Sequence, residues 1–171
     1  MQFVLGEKVK EAGLLLSLVK ITDELIKAEL DILNADSYYN RVSTGQETVT
    51  PEELAKEKEQ AAKLGAERYL VQENGRHVGI LDFLMVNPND NCAWLGLLQV
   101  NKPCQGQGYG RRMLELYMNM MKERGVAAFR IGILEDNEPG FQFWMKQGFD
   151  YVKTVVNDRQ KTVLIYEKTI G

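Results

Sequence analysis

The chain has 171 residues, of which 44% are hydrophobic and 26% charged, enough for one domain with a sizeable core and few for two. Its net charge of −3 and pI near 5.3 give no electrostatic reason to expect a nucleic-acid or anionic-membrane partner. Cys92 and Cys104 form no CxxC pair, which is typical of free thiols in a reducing compartment. The first residues lack the basic and apolar regions of a signal peptide. We therefore expect a single cytoplasmic domain over residues 1–171.

The N-terminal part of the chain predicts one strand and two helices. Residues 14–21 are short, apolar and followed at once by a helix signal, which indicates a buried strand. Thr22 is placed to cap a helix over residues 23–33. Residues 36–49 are polar and aromatic and indicate a loop. Thr50 before Pro51 and two glutamates then starts a second helix.

After Gly65 the pattern changes to strands. Asn74-Gly75 predicts a type I′ turn between two strands. Gly125 ends a long helix that begins at a glycine-rich turn, and Pro139 starts a short helix that Gly148 ends. The predicted strands of this part cover residues 68–73, 77–86, 93–100, 127–134, 149–156 and 161–169.

This order of elements predicts an α/β fold of the mixed, α+β type. A strand, a crossover helix and a strand at the centre imply one parallel pair beside antiparallel neighbours. We expect a mostly antiparallel, twisted sheet of six to seven strands, with about four helices distributed over both faces.

The turn between the strand ending near Val100 and the long helix carries the strongest chemical signal. Gly106, Gly108 and Gly110 fall just before and at the start of the helix. Glycine allows positive φ and a close approach of backbone to a ligand, and the helix start adds free N–H groups and a positive dipole end. The turn therefore predicts an anion site, with pyrophosphate as the usual occupant.

Three other interpretations compete for this turn. A Walker loop needs Gly-Lys-Ser/Thr, but Gly110 is followed by two arginines. A dinucleotide-binding oxidoreductase needs G-x-G-x-x-G and an acid about 20 residues further on, whereas the spacing here is G-x-G-x-G and residues 124–131 hold no acid. A glycine turn that only joins strand to helix stays open, since such turns are common.

The segment closely resembles motif A of the GNAT superfamily of N-acyltransferases, Q/R-x-x-G-x-G/A after a strand. Gln105, Gly108 and Gly110 fill its defining positions. An independent match follows the next strand, where N-x-x-G-F-x-F-W-x-K-x-G-F over residues 137–149 resembles motif B. Together with the order of elements, the resemblance covers about residues 14–168. It implies a GNAT-like fold in which the central parallel pair is splayed.

The resemblance also implies the co-substrate, acetyl-CoA, and the residues that contact it. Pantetheine would pair with the splayed strand, and pyrophosphate would take the amides of the glycine turn, with Arg111 or Arg112 near the phosphates. Asn137 of motif B would contact pantetheine, although an N-cap role before Pro139 is compatible with this. The implied contacts are Leu98, Gln99, Val100, Gln105, Gly106, Gln107, Gly108, Tyr109, Gly110, Arg111, Asn137 and Phe143.

The implied chemistry is direct attack of an amine on the thioester in a ternary complex, with no covalent enzyme intermediate and no metal. Neither cysteine is therefore assigned as a nucleophile. The family often has a tyrosine in motif B that protonates the departing thiolate, and Trp144 stands there, with an indole N–H of no useful acidity. Trp144 also fits a plain core position.

The general base is less clearly marked. Asp82 interrupts an apolar strand and is a candidate, as are Glu135 and Asp136 at the end of their strand, while His77 fits an exposed hairpin position better. The acceptor site is expected between residues 21–49 and the last hairpin, with Tyr38, Tyr39 and Arg41 as candidates to shape it.

Two functions from different classes follow. The first is N-acetyl transfer to an amine of a small molecule or protein. The second, motivated by Trp144, is a CoA-binding module with little or no catalysis. Acceptor identity, acyl chain length and oligomeric state, including a homodimer, are left open.

Overall fold

A computed structural model describes residues 4–5, 10–11 and 14–171 of the chain. Its strands are β1 (Val4–Leu5), β2 (Lys10–Glu11), β3 (Leu14–Lys20), β4 (Glu67–Glu73), β5 (Arg76–Leu84), β6 (Ala93–Val100), β7 (Ala128–Leu134), β8 (Asp150–Val156) and β9 (Thr162–Thr169). Its helices are α1 (Ile26–Ala35), α2 (Ser37–Thr44), α3 (Pro51–Lys63), α4 (Tyr109–Glu123) and α5 (Glu138–Met145). Two short 3-10 segments, Asp23–Leu25 and Lys102–Cys104, precede α1 and the glycine turn.

The strands form one sheet in the order β1-β3-β4-β5-β6-β7-β9-β8, with β2 beside β3. Neighbouring strands are antiparallel except β6 and β7, which are parallel. The seven strands of seven or more residues and the single parallel pair confirm the predicted mixed, mostly antiparallel sheet.

The parallel pair separates along its length. β6 and β7 are in register only at Ala93 with Phe129 and at Trp94 with Arg130. On its other side β6 carries a bulge, because Asp82 lies opposite Leu97 and Phe83 opposite Leu95, which leaves Gly96 without a partner in β5. A bulge bends its strand and increases the local twist. The bend in β6 opens a V-shaped gap toward the carboxyl ends of β6 and β7.

Helices cover the sheet on both faces. On one face, here called the α4 face, Met113, Leu116 and Tyr117 of α4 pack in one buried cluster with Phe129 of β7. On the other, the α1 face, a second buried cluster consists of Ile32, Leu33, Leu54, Leu70 and Ile80. Odd-numbered Leu97 of β6 packs with the second cluster, whereas Leu98 and Val100 pack with the first. Beyond the bulge, β6 thus presents alternate side chains to the two faces.

Several predicted boundaries are confirmed by backbone geometry. Thr50 forms a full capping box with Glu53 at the start of α3. Asn74 and Gly75 have φ of +50° and +75°, as a type I′ turn requires. Thr22 occupies the N-cap position of the 3-10 segment that leads into α1, as predicted, but its side chain makes no cap hydrogen bond.

The predicted loop over residues 36–49 is wrong, because α2 lies within it. Asp36 caps this helix, with Oδ1 accepting from the Tyr39 N–H at 3.2 Å, and Gly45 ends it at φ +79°. Buried Asn40 donates to the carbonyls of Leu33 and Glu47, 3.0 Å each. These bonds hold a helix that has little apolar pattern of its own, which is why the sequence pattern missed it.

Candidate active site

The gap between β6 and β7 holds a cleft of about 520 Å³. Residues 95–100 of β6 form one wall and residues 131–134 of β7 the other. Phe143 and Trp144 of α5 and the glycine turn line it from the α4 face, and Asp36, Tyr38 and Tyr39 line it from the region of α1 and α2. The cleft is therefore a passage between the two faces of the sheet.

The glycine turn forms the rim of the cleft on the α4 face. Gly106 and Gly108 have φ of +74° and +84°, in the left-handed region that glycine adopts without strain. Gly108 is the N-cap residue of α4, and the first N–H groups of a helix have no partner within it. The predicted residues that line the cleft here are Gln105, Gly106, Gly108, Tyr109, Gly110 and Arg111. These N–H groups, with the positive end of the helix dipole, suit an anion.

Gln107 is the one residue of the predicted turn that does not line the cleft. Its side chain donates to the carbonyl of Pro103 at 3.0 Å, within the turn itself. The Gln105 side chain instead reaches Asp36 Oδ2 at 3.2 Å and the Val100 carbonyl at 3.3 Å. Gln105 thereby joins the turn to the junction of α1 and α2.

Gly110 has a packing role as well. A Cβ built on Gly110 would lie 3.0 Å from Cε2 of Phe143, closer than ordinary carbon contacts. The absence of a side chain lets α5 approach the first turn of α4. Phe143 can therefore line the cleft directly beside the turn, as the resemblance to motif B implied.

The two arginines of the turn are placed differently. Arg112 Nη2 pairs with Glu73 Oε1 at 2.8 Å, and its guanidinium lies over the ring of Tyr109. Tyr109 also donates to Glu73. Burial alone would raise the pKa of Glu73, but the hydrogen bonds from Tyr109 and Arg112 outweigh it and hold that pKa below its usual value. Arg111 lines the cleft and is 60% exposed, with Glu115 at 3.4 Å. Arg111 thus places a positive charge at the rim of the cleft.

Asn137 and Trp144 of the second motif both line the cleft. Asn137 Oδ1 accepts from the N–H of Gly140 at 3.2 Å, so the N-cap role of Asn137 is confirmed. Trp144 makes edge-to-face contacts with Phe143 and Phe149, at 4.9 and 5.4 Å between ring centroids. Trp144 therefore belongs to the core and to the cleft wall at once.

The wall near α2 is built from side chains of one helix and its cap. The Tyr38 hydroxyl donates to the carbonyl of Asp136 at 3.2 Å, which links α2 to the end of β7. Burial raises the pKa of Tyr39, and the nearby Glu57 raises it further. Arg41, predicted with these tyrosines, pairs with Glu47 at 3.1 Å and does not line the cleft.

Asp82 is not part of the cleft lining, but it packs against a residue that is. Its Oδ1 is 3.2 Å from where a Cβ on Gly96 would stand, and Gly96 lines the cleft. Its Oδ2 accepts from Arg68 at 3.3 Å. Burial raises the pKa of Asp82, although the charge of Arg68 opposes that shift. The carboxylate of Asp82 therefore lies directly beside the cleft wall at Gly96.

Glu135, Asp136 and His77 do not line the cleft either. Glu135 and Asp136 are exposed where β7 ends, and the N–H of Glu135 donates to the carbonyl of Thr162 at 3.0 Å. His77 lies on β5, and its carbonyl accepts from Asn101. Cys104 lines the cleft as a buried thiol. The described residues contain no group of three or more His, Cys, Asp or Glu placed to hold a metal ion, and no helix among them is long and apolar enough to span a membrane.

Asp36, Gly96 and Gly132 are among the cleft-lining residues that pattern reasoning missed. Asp36 carried a usable signal, since an aspartate before a helix is a common cap, but no helix was expected there. A Cβ on Gly132 would come within 2.9 Å of Val163. The close approach of β9 to β7 therefore explains that glycine, and no local pattern predicts it.

Comparison with known proteins identifies this architecture. The model of the acetyltransferase (GNAT) family matches residues 30–149. The chain belongs to the GNAT family. No curated sequence matches it significantly. Among solved structures, an acetyltransferase from Thermus thermophilus shares 25% identity over 90% of this chain and 96% of its own, with a TM-score of 0.74.

Two more distant structures share the fold. An acetyl transferase from Salmonella typhimurium, which modifies the N-terminal serine of ribosomal protein L7/L12, has 20% identity over 91% of this chain and 95% of its own, with a TM-score of 0.74. Spermidine N-acetyltransferase from Vibrio cholerae, in complex with CoA and spermine, has 13% identity over 91% and 95%, with a TM-score of 0.70. GNAT proteins thus bind CoA and differ in their acceptors, and the glycine turn here has the groups that such a ligand needs.

Proposed function

We propose that this GNAT protein transfers the acetyl group of acetyl-CoA to an amine of a small molecule or protein, by direct attack within a ternary complex. The observation that carries the proposal is the cleft itself, which passes between the splayed strands β6 and β7 and is lined from both faces of the sheet. Two substrates that enter from opposite faces would meet between the strands. Such juxtaposition alone supplies a large part of the rate enhancement in two-substrate reactions.

The α4 face suits the nucleotide end of the co-substrate. The amides of the glycine turn and Arg111 would receive the pyrophosphate, and Asn137, Phe143 and the backbone of residues 98–100 line the way from there between the strands. When bound, acetyl-CoA would supply a thioester, an acyl group already activated for transfer. In the reaction the amine nitrogen forms a bond to the carbonyl carbon, the bond from that carbon to sulfur breaks, and the nitrogen loses one proton.

Asp82 is the residue we assign to that proton. It lies behind Gly96 on the α1 face, and its raised pKa makes it a stronger base than an ordinary aspartate. A backbone N–H of the bulged strand β6 would stabilise the oxyanion; in other acyl transferases one such donor contributes about 3 kcal/mol.

The proposal is tested by turnover. The purified protein is mixed with acetyl-CoA and, separately, with spermidine and with short peptides that begin with Ser or Ala, and thiol release is followed. We expect release above the rate without amine for at least one of these acceptors. Thermal shifts with acetyl-CoA, CoA and NAD run in parallel, and NAD should stabilise the protein clearly less.

A second function is favoured by Trp144, which stands where a proton donor to the leaving thiolate is expected. A protein without that donor would suit a CoA-binding module. Stabilisation by acetyl-CoA and CoA without release of thiol in the presence of any amine would support this alternative. Stabilisation by NAD equal to that by acetyl-CoA would contradict both functions.

A further inference from the structure

Gln99 is a buried polar residue whose side chain is only half satisfied. It lies in β6, lines the cleft and is 6% exposed. Its Nε2 donates to the carbonyl of Ile32 in α1 at 3.2 Å. Its Oε1 is buried and has no hydrogen-bond partner among the described residues. A buried acceptor without a partner is rare in folded proteins and invites a functional explanation.

The orientation of this amide is fixed by its partner. A carbonyl oxygen only accepts hydrogen bonds, so the atom that faces Ile32 must be the Gln99 nitrogen. Exchanging the two ends of the amide would bring two oxygens together. The end of the side chain that is left without a partner is therefore an acceptor and needs a donor.

The side of β6 from which Gln99 projects indicates which substrate supplies that donor. Gln99 faces α1, as does Leu97, whereas Leu98 and Val100 pack on the α4 face with the glycine turn. Gln99 lies opposite Ile80 in β5, and Asp82 lies opposite Leu97. The orphan oxygen and the candidate base Asp82 thus belong to the same face of the sheet, away from the turn that suits the pyrophosphate.

We infer that Gln99 is a positioning residue for the acceptor, whose reacting amine donates an N–H to Gln99 Oε1. The inference rests on the proposed function. A neutral primary amine has two N–H donors and one lone pair, so a bond from one N–H to a fixed oxygen restricts where the lone pair points. An amide oxygen cannot take the proton itself, which leaves that step to another group.

The contact to Ile32 makes this a preorganised acceptor. The side chain is held at its other end, so little rotamer freedom is lost when the amine binds. A neutral oxygen also matches a neutral amine, the form that has the lone pair needed for attack. The chemical class assigned to the acceptor is therefore an unprotonated primary or secondary amine that can reach the α1 face of β6.

Two variants separate this role from a merely structural one. Gln99→Met keeps the length of the side chain and removes both polar atoms. Gln99→Glu keeps an oxygen acceptor, and at pH 8 its carboxylate has no N–H for Ile32. We expect Gln99→Met to lower kcat/KM for the amine about tenfold, the loss of one good hydrogen bond, with KM for acetyl-CoA within about threefold of wild type. Gln99→Glu should recover part of the loss, because it keeps an oxygen acceptor for the amine but places its other oxygen against the carbonyl of Ile32.

The measurement is steady-state thiol release at pH 8 with spermidine, a Ser-initiated peptide and an Ala-initiated peptide, each varied at saturating acetyl-CoA. Unchanged kcat/KM for the amine in Gln99→Met would overturn the assignment and leave the acetyltransferase function standing. Equal losses in both variants, with lower melting temperatures, would show that the bond to Ile32 is what matters and would also overturn it. No turnover by the wild type with any of the three amines would overturn the proposed function and this assignment together.

Discussion

The two sides of the cleft differ in what they offer a ligand. On the α4 face the rim is made of glycines and the start of a helix, so backbone N–H groups are the main polar contacts. On the α1 face the polar groups are side chains, among them Gln99, Tyr39 and the carboxylate of Asp82 behind Gly96. The α4 face therefore offers a ligand mainly backbone N–H groups, whereas the α1 face offers it polar side chains.

This difference has consequences for substitution. Backbone groups tolerate many changes of side chain as long as φ and ψ are kept, but they fail when a residue cannot adopt the required φ. Side-chain contacts fail one residue at a time and can be exchanged for others. We expect CoA affinity to depend on a few glycines, and catalysis and acceptor choice to depend on individual side chains of the α1 face.

The largest effect is expected for Asp82→Asn. If Asp82 is the base, its loss should lower kcat by about 10²–10³ while the affinity for CoA changes little. Because burial raises the pKa of Asp82, wild-type activity should also fall as the pH drops through that raised pKa, and this limb should be absent in the variant. The pH profile of kcat, recorded for both proteins, checks the prediction.

Stability should not confound this comparison. A raised carboxyl pKa means that the ionised form of Asp82 weakens the folded state at neutral pH and that protonation relieves this. Arg68 keeps Glu29 at 2.7 Å when Asp82 becomes neutral. Glu135→Gln is the matched control, because Glu135 was also predicted as a candidate base but is exposed and does not line the cleft. A larger loss of kcat in Glu135→Gln than in Asp82→Asn would reverse the assignment.

A smaller but still large effect is expected for Gly108→Val, which tests the backbone side. Gly108 has φ +84° and no atom within 4 Å of a built Cβ, so the substitution fits sterically but strains the backbone by about 1–3 kcal/mol. If the turn relaxes, its N–H groups leave the anion site. We expect the Kd for CoA, measured by calorimetry, to rise at least about 100-fold, or about 2.8 kcal/mol.

Gly125→Val separates strain from binding. Gly125 has φ +79° and equally open surroundings, but it lies at the opposite end of α4. Both variants should lose similar stability, and only Gly108→Val should lose affinity. A Kd within about threefold of wild type for Gly108→Val would mean that the pyrophosphate is held elsewhere.

The same contrast explains how much of the site was predictable. The α4 side is built from two contiguous segments, residues 105–111 and 137–149, in which glycine, cap and turn signals are local. The α1 side and its contact with the turn depend on distant pairs: Gln105 meets Asp36 across 69 residues, and Gln99 meets Ile32 across 67. No local pattern shows that such residues will meet.

The features of the fold also divide into those that local patterns predict and those that depend on distant contacts. The mixed sheet and its parallel pair followed from strand lengths and the crossover helix, because those are set by periodicity and connection rules. The bulge at Gly96 could not be predicted, since it exists only in the register between β5 and β6. Helix α2 could not be predicted from its apolar pattern, because bonds from Asn40 to neighbouring segments hold it.

Trp144 combines features of both sides of the cleft. It lies on the α4 side, but its side chain stands where a proton donor to the leaving thiolate is expected. It is half-buried, lines the cleft and packs between Phe143 and Phe149. The loss of a general acid is expected to matter less here than elsewhere, because a thiolate with a pKa near that of free cysteine, about 8.5, leaves without much help. The effect of restoring an acid should therefore be the smallest of the three.

Trp144→Tyr measures that effect. If position 144 serves the leaving group, the phenol should raise kcat by a few fold, most visibly below pH 8, where protonation of the thiolate matters more. The smaller ring vacates space beside Phe149, so the melting temperature should fall slightly. Trp144→Phe is the control, since it makes a similar vacancy without the hydroxyl. Higher kcat in the tyrosine variant alone would show that catalysis also depends on a side chain of the α4 side. Equal or lower kcat in both variants would leave Trp144 a packing residue, with the thiolate protonated by solvent or by another group.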